Sequence, residues 1–268
     1  MATFQIVSDL HLENPAAYDI FEIPPCAPYL ALLGDIGVVK DDKFFAFIEA
    51  QLPKFEIVFF LLGNHEPWYS SWGQTRQKLA HFSDLLDERR SSQSRSTGKF
   101  VFLDQTQYDL SPTLTVLGCT LYSRVSETHR EDVSFGINDF YHIDDWTVDD
   151  HCVAHEADLK WLNEQVTSIT ACEPQRTIVI FTHYSPVTSD ARAVDPRHMK
   201  SPLSSGFATD LSAQECWTNP RVRLWAFGHT HYNTHYTDEE TGKLVVSNQR
   251  GYYFSQANGF DATKSVQV

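Results

Sequence analysis

The 268-residue sequence predicts an α/β fold with mixed β-sheets. Three observations lead there. Short apolar, β-branched or aromatic runs, read as strands, lie at residues 4–8, 29–33, 57–62, 99–103, 113–119, 177–182, 222–227 and 243–247. Segments with apolar residues at three-and-four spacing predict helices at 41–52, 73–89 and 149–169. Strand and helix alternate early in the chain, whereas strands cluster later, which favours mixed over all-parallel sheets.

Taken in order, the first strand carries FQIVS, and the second and third carry YLALL and the apolar run before Gly63. The helix between those two and the helix after the third strand both repeat apolar residues at three-and-four spacing. Residues 90–98 are Ser-rich and basic, the composition of a flexible loop tip. The last long helix presents Leu159, Leu162 and Val166 on one face. Residues 122–150 and 184–206 are irregular and too long for simple connections, the kind of loop that closes over a site. No repeat of 20–50 residues is visible, which excludes solenoids and propellers. The expectation is a single domain over residues 1–268.

Formal net charge is −14, so a long polyanion or an anionic membrane is a poor partner. The five cysteines are odd in number and have no CxxC pair, as free thiols in a reducing compartment would be. The opening MATFQIVSDLHLENP has no basic start, long apolar stretch or cleavage site, and no apolar run approaches the roughly 20 residues of a membrane span. A cytoplasmic location is expected.

Histidine reaches 12 residues, and its placement is more telling than its number. FQIVSDLH ends a strand with Asp9 and His11, and LALLGD ends one with Asp35. FFLLGNHE brings Asn64 and His65, VIFTHYS brings His183, and LWAFGHTH brings His229 and His231. Residues two apart in extended chain point the same way, so Asp9 with His11, and His229 with His231, can converge on one ion. Each fragment alone is more often a turn or a hydrogen-bonded histidine. Together they are hard to obtain by accident, because such groups at strand ends need partners. Ligands of open α/β sheets collect beyond the carboxyl ends of strands, where all of these residues fall.

The ordered set DLH, GD, GNHE, THYSP and GHTH resembles the calcineurin-like metallophosphoesterase superfamily over about residues 3–254. LGCTLYS, THYSP and SNQRGY further resemble a subgroup of uncharacterised microbial and fungal members. The resemblance implies a four-layer αββα sandwich of two mixed β-sheets flanked by helices, with a dinuclear metal site at the strand edge. It also implies roles. Asp9, His11 and His231 would hold one metal, Asn64, His183 and His229 the other, and Asp35 would bridge them, with His65 assisting the leaving group. Such a pair of ions can share a hydroxide and clamp an in-line displacement at phosphorus. Imidazole and oxygen ligands without thiolate favour Mn, Fe or Zn.

The expected activity is hydrolysis of a small phosphodiester or phosphomonoester. Protein phosphatases of the superfamily continue their Gly-Asp into Asp-Arg-Gly, whereas this chain reads GDIGVVK. A nuclease acting on short nucleic acid and a non-catalytic scaffold of the same fold are the alternatives. Candidate substrate contacts are Arg250, Arg124, Tyr122 and Tyr184, since arginine grips phosphate and rings stack on bases. Each also has an ordinary reading, an ion pair for Arg250 and core or rim for the tyrosines. Gln249 stands where the subgroup usually has proline, a departure expected to loosen that loop. His151 and His155, four apart on a helix, read first as a solvated face, and His129 and His142 as surface loop residues. Glu66 reads as a rim residue beside His65.

Overall fold

Residues 1–92 and 97–268 are described by a computed structural model of the chain. The first sheet has the order β13-β1-β2-β3-β4 and the second β5-β6-β7-β8-β10-β9. In the first, β1 (Thr3–Val7), β2 (Tyr29–Leu33), β3 (Ile57–Leu61) and β4 (Lys99–Phe102) are parallel, and β13 (Ser265–Gln267) closes the edge antiparallel to β1. In the second, β6 (Leu114–Cys119), β7 (Thr177–Thr182), β8 (Val222–Phe227) and β10 (Leu244–Ser247) are parallel, and antiparallel β5 (Thr106–Ser111) and β9 (Thr234–Thr237) flank them.

Both faces of the parallel strands are covered, which is why their sequences read as continuous apolar runs. Along β3, Phe59 and Leu61 face the second sheet, where they join Phe4, Ile6, Val116, Val179, Phe181 and Val246 in one buried cluster. The Phe4 and Phe181 rings meet edge-on at 5.4 Å, joining the two sheets directly. The alternate residues point outward to helices. Phe60 meets Phe44 of α1 (Phe44–Glu49), and Phe100 meets Phe82 of α2 (Trp72–Ser92). On the other side α5 (Val148–Cys172) packs on α6 (Glu215–Thr218), whose Trp217 lies 5.6 Å from Trp225 of β8. The result is the expected four-layer αββα sandwich.

Several boundaries differ from expectation for local reasons. The expected helix 41–52 is helical only over Phe44–Glu49, with turns on both sides, such as Asp41 N–H to the Val38 carbonyl and Leu52 N–H to the Glu49 carbonyl. α2 runs through Ser92, so the start of the expected loop tip at 90–98 is helical, while residues 93–96 lie outside the described residues. The irregular stretch 122–150 contains α3 (Arg130–Gly136) and α4 (Asp139–His142). Among the described residues no helix is long and apolar enough to cross a membrane.

Because the central strands are parallel, β1, β2, β3, β7 and β8 deliver their carboxyl ends to one edge of the sandwich. The two sheets are tied together there. Ser8 bridges Gln249, and the Asn248 side chain donates to the Ile6 carbonyl at 2.6 Å.

Candidate metal and active site

The loops beyond these strands interlock through their backbones. His11 N–H donates to the Asp35 carbonyl and Asp9 N–H to that of Gly34, both at 3.0 Å, and Gly228 N–H donates to the His183 carbonyl at 2.9 Å. Asp9, His11, Asp35, His229 and His231 all adopt left-handed backbone, with φ between 47° and 71°. The turns are glycine-dependent: a Cβ on Gly63 would run into the Asp35 carboxylate, and one on Gly228 would lie 2.6 Å from Asp9 Oδ2.

Three close groups of such side chains result, one joining His11 to Glu13 and His65 and two made of expected ligands. Ligand atoms of Asp9, His11 and His231 lie within 4.8 Å of one another, as do those of Asp35, His183 and His229. Asp35 Oδ2 is 3.5 Å from His183 Nε2 and 3.8 Å from His11 Nε2, so it spans both clusters. Asn64 Oδ1 lies 3.0 Å from His183 Nε2. The structure thus brings together every residue expected to ligate metal.

The chemistry of this set fits divalent ions. His11 Nε2 and His231 Nε2 face each other at 3.0 Å, where two lone pairs repel unless a proton or ion lies between. His229 Nε2 is buried without a hydrogen-bond partner among the described residues. Its imidazole is held neutral, its pKa depressed by burial and by His183. The other ring nitrogen of His183 is fixed by the Leu33 carbonyl at 2.8 Å, which aims Nε2 into the cluster.

His65 sits over these groups, 3% exposed. Its Nδ1 lies 2.8 Å from Glu13 Oε1, and its backbone N–H donates to Asp35 at 2.8 Å. Burial works against charge on the ring, but the Asp35 and Glu13 carboxylates outweigh it and raise the pKa to about 9. Trp68 stacks on the ring at 3.6 Å, and His142 stacks on Trp68 at 4.6 Å. Asp139 of α4 accepts from Asn64 Nδ2 at 2.8 Å and Trp68 Nε1 at 3.0 Å, which turns the Asn64 oxygen toward His183.

A cleft of about 1290 Å³ opens from this edge. Its walls include Asp35, Asn64, His65, His229 and His231 together with apolar Ile137, Leu159, Leu203 and Phe207, and the Phe207 ring stacks on that of His229 at 4.9 Å. Both long stretches, 122–150 and 184–206, contribute to it.

The expected substrate contacts scatter. Arg124 lines the cleft, exposed, with no partner for its guanidinium among the described residues. Arg250 does not line it: its guanidinium donates to the Leu10 carbonyl at 3.0 Å and lies over the Phe21 ring. Tyr122 is buried in the core, its hydroxyl accepting from Arg76 at 2.9 Å. Tyr184 is also buried, its ring 4.1 Å from that of His229.

Other expectations need correcting. His151 and His155 are buried rather than solvated. His151 Nε2 accepts the Ser123 N–H at 3.0 Å, and His155 Nδ1 donates to the Leu121 carbonyl at 2.8 Å. Glu66 is not at the rim. It is fully buried and accepts the backbone N–H groups of Asp35, Ile36 and Gly63, clamping two ligand loops together. Gln249 tightens its loop, taking the His231 N–H and donating to Thr230 Oγ1 at 3.0 Å. Sequence reasoning passed over Glu13, Trp68, Asp139 and Tyr252. Glu13 continues the alternation of Asp9 and His11 and was findable, whereas Trp68 and Asp139 meet only through the tertiary fold.

Residues 2–233 match the family model described as calcineurin-like phosphoesterase. Uncharacterized protein L509 of Acanthamoeba polyphaga mimivirus is 27% identical, covering 96% of this chain and 94% of its own. Among solved structures, phosphopantetheinyl hydrolase (PptH) from Mycobacterium tuberculosis aligns with a TM-score of 0.65 at 15% identity, covering 94% of this chain and 90% of its own.

Proposed function

Because the chain belongs to the calcineurin-like phosphoesterase family, whose members hydrolyse phosphoric esters with metal ions, we propose that it cleaves a phosphodiester bearing an extended organic arm. The observation that carries this reading is the cleft. A phosphomonoester would fill little of it, whereas about 1290 Å³ with apolar side chains in its walls takes a substituent of substantial length. The phosphopantetheinyl group named for the PptH structure is an arm of that kind. Glu156, Asp195 and Asp210 lie in the same walls as Arg124 and Arg197, and Arg197 is paired with Asp195. That mixture is not the basic track of a nuclease.

In this reading Asp9, His11 and His231 hold one ion, Asn64, His183 and His229 a second, and Asp35 touches both. Two such ions, when bound, supply charge neutralisation at phosphorus and a more acidic water. Manganese, iron and zinc all suit the donors. The protein's own groups do the rest. Glu13 accepts a hydrogen bond from the His65 Nδ1–H, so Nε2 faces the ester and can give a proton to the departing oxygen. Asp139 and Glu66 hold Asn64 and the Asp35 loop in place. Burial of the cluster keeps bulk water away and strengthens each of these interactions.

The test is turnover of bis-p-nitrophenyl phosphate, p-nitrophenyl phosphate and a phosphopantetheinylated carrier protein by chain reconstituted separately with Mn, Fe and Zn. Diester cleavage well above monoester cleavage is expected. No turnover of any of them with metal shown to be bound, or a monoester preference, overturns the reading.

A further inference from the structure

Resting on that reading, we propose that Tyr252 is a catalytic residue whose hydroxyl, beside His65, donates a hydrogen bond to the departing ester oxygen. The pair would form a leaving-group site suited to poorly acidic alcohols. Its hydroxyl lies 3.4 Å from His65 Nε2. Its ring covers the first cluster, 4.3 Å from that of His11 and 4.8 Å from that of His231. The residue is 44% exposed and lines the cleft, so the hydroxyl stands between metal ligands and incoming substrate.

The placement is built into the backbone. Tyr252 belongs to a short hairpin of β11 (Gly251–Tyr252) and β12 (Ser255–Gln256). The hairpin's base is fastened to the ligand loops: Gly251 N–H donates to the Asp9 carbonyl at 3.0 Å and Arg250 N–H to that of Ser8 at 3.1 Å. The Arg250 guanidinium holds the Leu10 carbonyl, the same tie that keeps it out of the cleft. Gly251 has φ 77°, and a Cβ there would press to 3.0 Å on Ala257 N and Ser255 O. A backbone so fastened sets the side chain's starting point beside His65, a placement suited to chemistry.

The step balances as follows. Water adds to phosphorus through oxygen, and the bond from phosphorus to the departing oxygen breaks with its electron pair passing to that oxygen. That oxygen takes a proton from His65, and the proton shed by the attacking water restores the imidazolium. Tyr252 keeps its own proton and only donates a hydrogen bond.

Charge on the departing oxygen is largest for poor leaving groups, so the hydroxyl should matter most for them. The experiment compares wild type, Tyr252→Phe and Tyr253→Phe on phosphodiesters whose leaving group ranges from p-nitrophenol to unsubstituted phenol, with metal content measured in parallel. For Tyr252→Phe we expect kcat to fall about 3-fold or less with p-nitrophenol and about 10- to 100-fold with phenol, at unchanged metal content. Tyr253→Phe should match wild type. A loss that is flat across the series, absent, accompanied by lost metal, or equal in Tyr253→Phe overturns the proposal. A wild type inert on every ester would instead refute the proposed function.

Discussion

Asp35 and His65 approach to 4.0 Å, yet their surroundings assign them different tasks. Asp35 accepts the His65 N–H with Oδ1 and holds Oδ2 among imidazoles of both clusters. His183, His65 and His11 hold its pKa well below the usual range although burial opposes charge there. His65 is braced by Glu13 and Trp68 and faces the cleft. Asp35→Asn should therefore reduce bound metal at both positions, measured by atomic absorption. His65→Ala should retain metal while kcat falls by about 10² to 10⁴-fold. An emptied site in His65→Ala would show that the ring ligates instead. Glu66 shows what a sequence hides at this scale. Beside His65 it looks like a rim residue, but its neighbours in space are three amide groups from two loops. The residues of the two clusters were legible because each follows an apolar strand. Their supports were not, because a carboxylate that serves the backbone leaves no motif.

At the scale of elements, α5 combines a capping box at Thr147 and Asp150 with two buried histidines. Burial, and then His155, depress the pKa of His151 to about 3, and its Nε2 must stay unprotonated to accept the Ser123 N–H. In the unfolded chain the same ring titrates near the ordinary histidine value of 6.5. Between those values the unfolded state binds more protons, so the stability due to neutral His151 is complete above pH 6.5 and is lost as pH falls toward 3. Urea unfolding of chelator-treated protein should show wild type losing up to about 1.4 kcal/mol more per pH unit across that window than His151→Gln. An equal slope in the two would place the acid sensitivity elsewhere. The strands missed from sequence share one character. β5, β9 and β13 are short edge strands whose polar, half-exposed residues carry no apolar run. They are strands only because a neighbour offers its hydrogen-bonding edge. α3 and α4 were hidden for a related reason, being only seven and four residues long with few apolar positions.

For the whole molecule, the sandwich supplies a rigid edge, which the proposed ions would complete. Binding that favours the folded state adds to its stability, by about 2.7 kcal/mol at a hundredfold excess over Kd. Removing metal with EDTA should lower Tm by several degrees, and Mn or Zn should restore it, read by calorimetry. A Tm indifferent to both would show that the clusters hold no ion under those conditions. The net charge of −14 is compatible with this, since the ions invert the field locally. The left-handed backbone of Asp9, His11, Asp35, His229 and His231 has a further consequence. Each such residue costs about 1 kcal/mol or more relative to glycine, which would adopt the same turn freely but carry no ligand atom. Heat resistance and metal chemistry are thus opposed at the same backbone positions. A variant library selected for thermostability alone would be drawn toward inert proteins through these residues, and engineering of this chain has to keep catalysis under selection throughout.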